Sequence, residues 1–234
     1  MLGIGFGPIL LMLVIGVMSY TVQKRFQKKF KRYAETPLSS GLTGKEVAER
    51  MLQENGIRDV SINVSEGTLT DHYNPGNRTI NLSKDVYQGR SIASAAIAAH
   101  ECGHAVQHAT NYSFLQLRSA LVPVVSVSNQ YVPYLLIGGI LGIWLFNIPH
   151  ILLAGIILFA ASTVFSFVTL PVEFDATKRG LNWLETANIT TGKEHEMAKD
   201  GLNAAAKTYV VAALASLLTL LYYIMIFMGF SGDD

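Results

Sequence analysis

Between Arg118 and Glu173 the chain contains no Asp, Glu, Lys or Arg. A water-soluble fold needs ionic groups across its surface, so a gap of this length is hard to place in one. The hydrocarbon of a bilayer excludes charge and accounts for it directly. A short Asn147-Ile148-Pro149-His150 turn divides the stretch. Ser119–Phe146, interrupted by Pro123, Asn129, Gln130 and Pro133, and Ile151–Leu170 therefore read as a transmembrane hairpin over residues 119–170.

Two further apolar stretches frame this hairpin, Leu2–Val22 and Tyr209–Phe230. The first has no Lys or Arg before it and six positive charges, Lys24, Arg25, Lys28, Lys29, Lys31 and Arg32, just after it. That order is the reverse of a secretory signal, so residues 2–23 read as a retained anchor. All 18 Lys and Arg lie in residues 24–118 and 171–207. The positive-inside rule puts both stretches in the cytoplasm, with about four spans between and around them and a C-terminal helix over residues 208–230. Formal net charge is +1, which gives no global field for nucleic acid, and the basic run beside an apolar span reads as a membrane flank. Cys102 is the only cysteine, so no intrachain disulfide can form.

The polar part from Pro37 to Arg90 has the signals of a small α+β unit. Thr43 with Glu46 three residues on is a capping box, opening a helix to about Glu54 that Asn55-Gly56 ends. Val60–Val64, Thr68–Tyr73 and Thr79–Leu82 favour short strands, the last two joined by an Asn74-Pro75-Gly76-Asn77 turn. Ser91 to about Ala109 is Ala-rich and reads as a buried helix.

That helix carries His100-Glu101-Cys102-Gly103-His104. Residues four apart lie on one helix face, about 6 Å apart along the axis, so two imidazoles can converge on one Zn²⁺. Glu101 adjoins the first ligand without sharing its role and can take a proton from a water that the metal has acidified. Peptide hydrolysis is the reaction this arrangement serves. Cys102 points away from that face and reads as a packing residue.

A catalytic zinc uses about three protein ligands and keeps a position open. His108 lies on the same straight helix, about 12 Å beyond His100, too far for one ion to bridge. Gln107 stands where the metzincin pattern requires glycine. His72 and His195 are isolated. Glu173 and Asp175 are the first charges after the hairpin, on the cytoplasmic side, and Glu173 is the expected third ligand. Pro171 before them marks a kink or a helix start. On a helix Asp175 points about 200° from Glu173, so its expected role is behind the ligands or in a pair with Arg179. Arg179, His195, Tyr112 and Tyr209 are open candidates for stabilising an oxyanion.

The order Asp71-His72-Tyr73-Asn74-Pro75, Leu82-Ser83, His100-Glu101-Cys102-Gly103-His104 and Pro171-Val172-Glu173-Phe174-Asp175-Ala176 resembles the YugP-like family of bacterial neutral zinc metallopeptidases. The likeness covers nearly the whole chain. It implies a membrane-bound gluzincin in a bacterial cell membrane, with one zinc per chain on His100, His104 and Glu173. It also implies a distant likeness to other membrane zinc proteases. Those relatives carry Asp four residues after the ligand Glu, where this chain has Thr177. In gluzincins an edge strand beside the zinc pairs with extended substrate, a part for Leu69–Tyr73 or Thr79–Leu82; an ordinary hairpin under the helix is the rival reading.

The expectation is a mainly α membrane protein with about four transmembrane helices and a small α+β gluzincin-like cytosolic metallopeptidase domain. Residues 24–118 carry the metal helix and residues 171–207 bring the third ligand. Its partners are the lipid bilayer and a protein or peptide substrate near the membrane, with no nucleic acid. The competing expectation is a membrane scaffold or interaction protein with a structural or inactive metal site. A fourth protein ligand distinguishes a structural zinc from a catalytic one.

Overall fold

The computed structural model describes residues 6–231. The elements run α1 (Phe6–Ala34), α2 (Gly44–Glu54), β1 (Ser61–Ser65), β2 (His72–Asn74), β3 (Thr79–Ser83), α3 (Lys84–Gln88), α4 (Ile92–Ala109), α5 (Ser113–Phe146), α6 (His150–Thr186) and α7 (Gly192–Ser231). They form two compact units. One holds α1 up to Tyr20, Leu117–Leu170 and the chain from Tyr209; the other holds Thr21–Gln116 and Pro171–Thr208.

Among the described residues, three helices are long and apolar enough to cross a membrane: α5, α6 and the Gly192–Gly229 part of α7. The expected anchor Leu2–Val22 begins outside the described residues, and its described part belongs to α1. In the first unit α5 and α6 pack closely through small residues. A Cβ on Gly139 would stand 2.5 Å from the Leu152 backbone, and one on Gly155 3.0 Å from the Leu136 side chain. Leu152 and Ile156 are buried there against Val132, Leu136 and Ile143. Trp144 and Phe146 stay largely exposed, as apolar groups facing lipid would.

Pro123 and Pro133 lie inside α5 and Pro171 inside α6. Of the kink or helix start expected at Pro171, the helix start is corrected: α6 begins at His150 and runs on to Thr186. A proline in a helix removes one ladder bond but does not end the helix where tertiary packing holds both sides. The expected turn Asn147-Ile148-Pro149-His150 is one residue shorter in the structure, with Asn147 at φ 55° and His150 already opening α6.

In the second unit the capping box is complete. Glu46 N–H donates to Thr43 Oγ1 at 3.1 Å, and Thr43 N–H donates to Glu46 Oε2 at 2.7 Å. Asn55 caps the other end of α2, and Gly56 takes φ 71°. The sheet order is β1-β3-β2, with β1 parallel and β2 antiparallel to β3. This corrects two strand expectations. Thr79–Leu82 lies in the central strand and offers no edge, and the Thr68–Tyr73 strand shrinks to His72–Asn74. Leu69 at φ 59° cannot continue an extended chain. The core buries Val47, Met51, Ile80, Leu82, Ile92, Ala98, Ala99 and Leu184.

Candidate metal centre

α4 and α6 meet at a seam made by small residues. A Cβ on Gly103 would lie 2.4 Å from the Ala176 carbonyl oxygen, and one on Gly180 2.8 Å from the Ala99 carbonyl oxygen. On α6, Glu173, Ala176, Thr177 and Gly180 follow the i, i+3, i+4, i+7 spacing of a single helix face. The backbone contact at Ala176 and Gly180 therefore carries Glu173 and Thr177 against α4.

There His100, His104 and Glu173 form a cluster whose candidate ligand atoms all lie within 4.8 Å of one another. Glu173 Oε2 is 3.2 Å from His100 Nε2 and 3.6 Å from His104 Nε2. Zinc bonds of 2.0–2.1 Å at tetrahedral angles put neighbouring donor atoms about 3.3 Å apart. The three donors fit zinc in type, and the two separations from Glu173 Oε2 fit it in spacing. Among the described residues the cluster has three members, not the four of a closed structural site. His104 and Glu173 are buried, while the His100 side chain keeps 15% of its exposure.

Each imidazole is held from behind. Gln107 Nε2 donates to the Val172 carbonyl at 2.7 Å and to Asp175 Oδ2 at 2.8 Å. Its Oε1 is therefore turned to His104 Nδ1, at 3.0 Å. An amide oxygen only accepts, so His104 carries a proton on Nδ1 and points Nε2 at the cluster. Arg179 Nε donates to the same Asp175 oxygen at 2.5 Å, and its guanidinium lies 5.8 Å from the Tyr112 ring centre. Thr177 Oγ1 lies 3.1 Å from His100 Nδ1. A hydroxyl thus bonds the first histidine at the position where the resemblance implies Asp.

Glu101 is buried beside the cluster. Burial pushes its carboxyl up to about 7; His100 opposes the shift, Glu173 and Asp71 add to it, and the Tyr73 backbone N–H opposes it as a donor. Burial would also raise Glu173, but hydrogen bonds from His100 and His104 outweigh it and hold that carboxyl far below the usual range. Asp71 fixes the start of β2, accepting from Ser83 N–H at 2.7 Å, and burial pushes its carboxyl up.

The geometry and the comparisons agree. The family described as "Putative neutral zinc metallopeptidase" matches residues 8–228. The chain belongs to that family. It is also 41% identical, over 212 residues, to the "Putative membrane protease YugP" of Bacillus subtilis (strain 168), covering 91% of this chain and 92% of that one. No solved structure matches it.

The structure sorts the other candidates. His108 bonds Tyr73 Oη at 2.7 Å through Nδ1, His72 Nδ1 faces the Thr70 carbonyl at 2.8 Å, and His195 faces Thr190 and Glu185. None of the three belongs to the cluster. Cys102 is buried with its thiol on the Ala48 carbonyl, and burial pushes its pKa well up. The sequence reading missed Gln107 and Thr177. Spacing was a signal for both, Gln107 three residues past His104 and Thr177 one turn past Glu173, and Thr177 also stands where the resemblance implies Asp.

Proposed function

We propose that this chain is an integral-membrane, zinc-dependent endopeptidase that cuts protein or peptide substrates near the membrane surface. The observation that carries this reading is the convergence of His100 Nε2, His104 Nε2 and Glu173 Oε2, with Glu101 buried alongside. His100, His104 and Glu173 are the ligands of one zinc per chain. A zinc ion there supplies Lewis acidity and makes a water acidic enough to lose its proton near neutral pH.

The chain's own groups do the rest. Gln107 and Thr177 fix the two rings so that their Nε2 atoms face inward. Glu101, buried and with its carboxyl raised to about 7, is matched to accept a proton from water and return it to the leaving amine. The Tyr73 N–H steadies that carboxylate. Cleavage of the amide is balanced by the water's proton passing through Glu101 to the amine nitrogen.

The charge distribution supports a multi-pass arrangement in a bacterial membrane with the site facing the cytoplasm. Leu2–Val22 makes a fourth span, and both Lys/Arg-bearing stretches lie on one side. A structural or inactive metal site in a membrane scaffold would call for a closed ligand set, and the partly exposed His100 favours an enzyme. The test is Glu101→Gln in the full-length protein. Zinc content should stay at one per chain while peptide hydrolysis falls at least about a thousandfold. Hydrolysis near the wild-type rate would remove Glu101 from the role of base.

A further inference from the structure

Tyr73 meets the metal helix twice. Its hydroxyl lies 2.7 Å from His108 Nδ1, with ring centres 5.9 Å apart. Its backbone N–H acts on the Glu101 carboxylate. Tyr73 is the middle residue of β2, which pairs with β3 on one side and closes that end of the sheet. β2 packs against α4, and its side away from β3 has no strand partner among the described residues.

A strand of three residues, paired on one side, has few backbone bonds to hold its height. Asp71 pins its start to Ser83, and Asn74 Oδ1 accepts from Gly76 N–H in the turn that follows. Neither contact reaches α4. His108 does, one turn past His104 and outside the metal cluster.

We propose that the Tyr73–His108 hydrogen bond is a positioning latch. It sets the open edge of β2 at the height over α4 where an extended peptide, paired with that edge, brings its scissile carbonyl to His100, His104, Glu173 and Glu101. The latch rests on the peptidase reading, since it serves substrate register and neither zinc binding nor proton transfer. Tyr73 and His108 are positioning residues in it.

The test uses the full-length protein in lipid nanodiscs, with Tyr73→Phe, His108→Leu, the double variant and His108→Asn. Asn Oδ1 occupies about the place of His Nδ1 and keeps an acceptor for the tyrosine hydroxyl. In the metal-free protein, amide exchange at residues 72–74 should quicken roughly five- to tenfold in each apolar single variant, no further in the double variant, and return to wild type in His108→Asn. In the zinc-loaded protein, KM for an extended peptide should rise by a similar factor with kcat within about twofold and zinc content unchanged. Unaltered exchange and KM, additive losses in the double variant, or a fall in kcat at constant KM would overturn the latch. A wild type that binds zinc but cleaves no peptide would sink the peptidase reading instead, while the metal-free exchange would still judge whether the bond holds the strand. Tyr73→Phe removes one oxygen atom and settles the matter if the His108 variants fold poorly.

Discussion

Gly103 lies so close to the Ala176 carbonyl that a methyl group built on it would stand 2.4 Å from that oxygen. The contact sets the separation of α4 and α6, and so sets whether Glu173 reaches the two histidines. Gly103→Ala should force the helices apart, because the obstacle is backbone and not a flexible side chain. The expected result is a destabilisation of about 1–3 kcal/mol and at least a tenfold loss of zinc affinity, read by thermal unfolding and competitive chelation. Wild-type affinity in the variant would show that the seam does not control the site.

Gln107 is the amide that orders His104. Gln107→Leu keeps the volume but removes the acceptor for Nδ1–H, so zinc affinity should fall roughly 10–100-fold. Asp175→Asn keeps a partner for Gln107 yet leaves Arg179 without its anion, and a smaller loss is expected. Chelator competition on both variants measures the ranking, and a larger effect at Asp175 would contradict the assigned chain of contacts.

Thr177 is the side chain behind His100, its Oγ1 3.1 Å from Nδ1. Thr177→Val should weaken zinc binding by about tenfold through loss of the His100 Nδ1 partner. Thr177→Asp should bind zinc at least as tightly as the wild type, because a carboxylate accepts from Nδ1–H and raises the basicity of the ligand. Isothermal titration with zinc distinguishes the two variants, and equal losses in both would leave Thr177 as packing alone.

Glu101 gives the metal-free protein a pH dependence of definite sign. Its folded-state carboxyl is raised to about 7 by burial, so the folded protein holds that proton more tightly than the unfolded chain does. The resulting stability is present in full below the unfolded value of about 4.3 and is lost as pH rises through 7. Metal-free Glu101→Gln lacks this loss. Its stability advantage over the wild type should grow between pH 5 and pH 8 toward a limit on the order of 3 kcal/mol. A gap that shrinks with rising pH would mean that Glu101 is not strained by ionisation.

Much of the site was legible because local chemistry dictates it. Histidines one turn apart share a helix face whatever surrounds them, and Thr43 with Glu46 caps a helix in any context. The charge-free stretch from 119 to 172 marked the hairpin by composition alone. What stayed hidden depends on contacts distant in sequence. Pro171 read as a kink or a helix start, and α6 runs through it, with Ala176 and Gly180 packed on α4 beyond it. Thr79–Leu82 had the pattern of any strand, and only the pairing of β1 with β3 shows that it is central. Gln107 and Thr177 are ordinary helix residues until the seam brings them behind the imidazoles.

The most direct test of the whole account is a zinc-bound crystal structure with the metal located by its anomalous signal. The account predicts one peak bonded to His100 Nε2, His104 Nε2 and a Glu173 carboxylate oxygen, with a non-protein atom in the remaining position. A peak elsewhere, or a fourth protein ligand closing the coordination sphere, would contradict it.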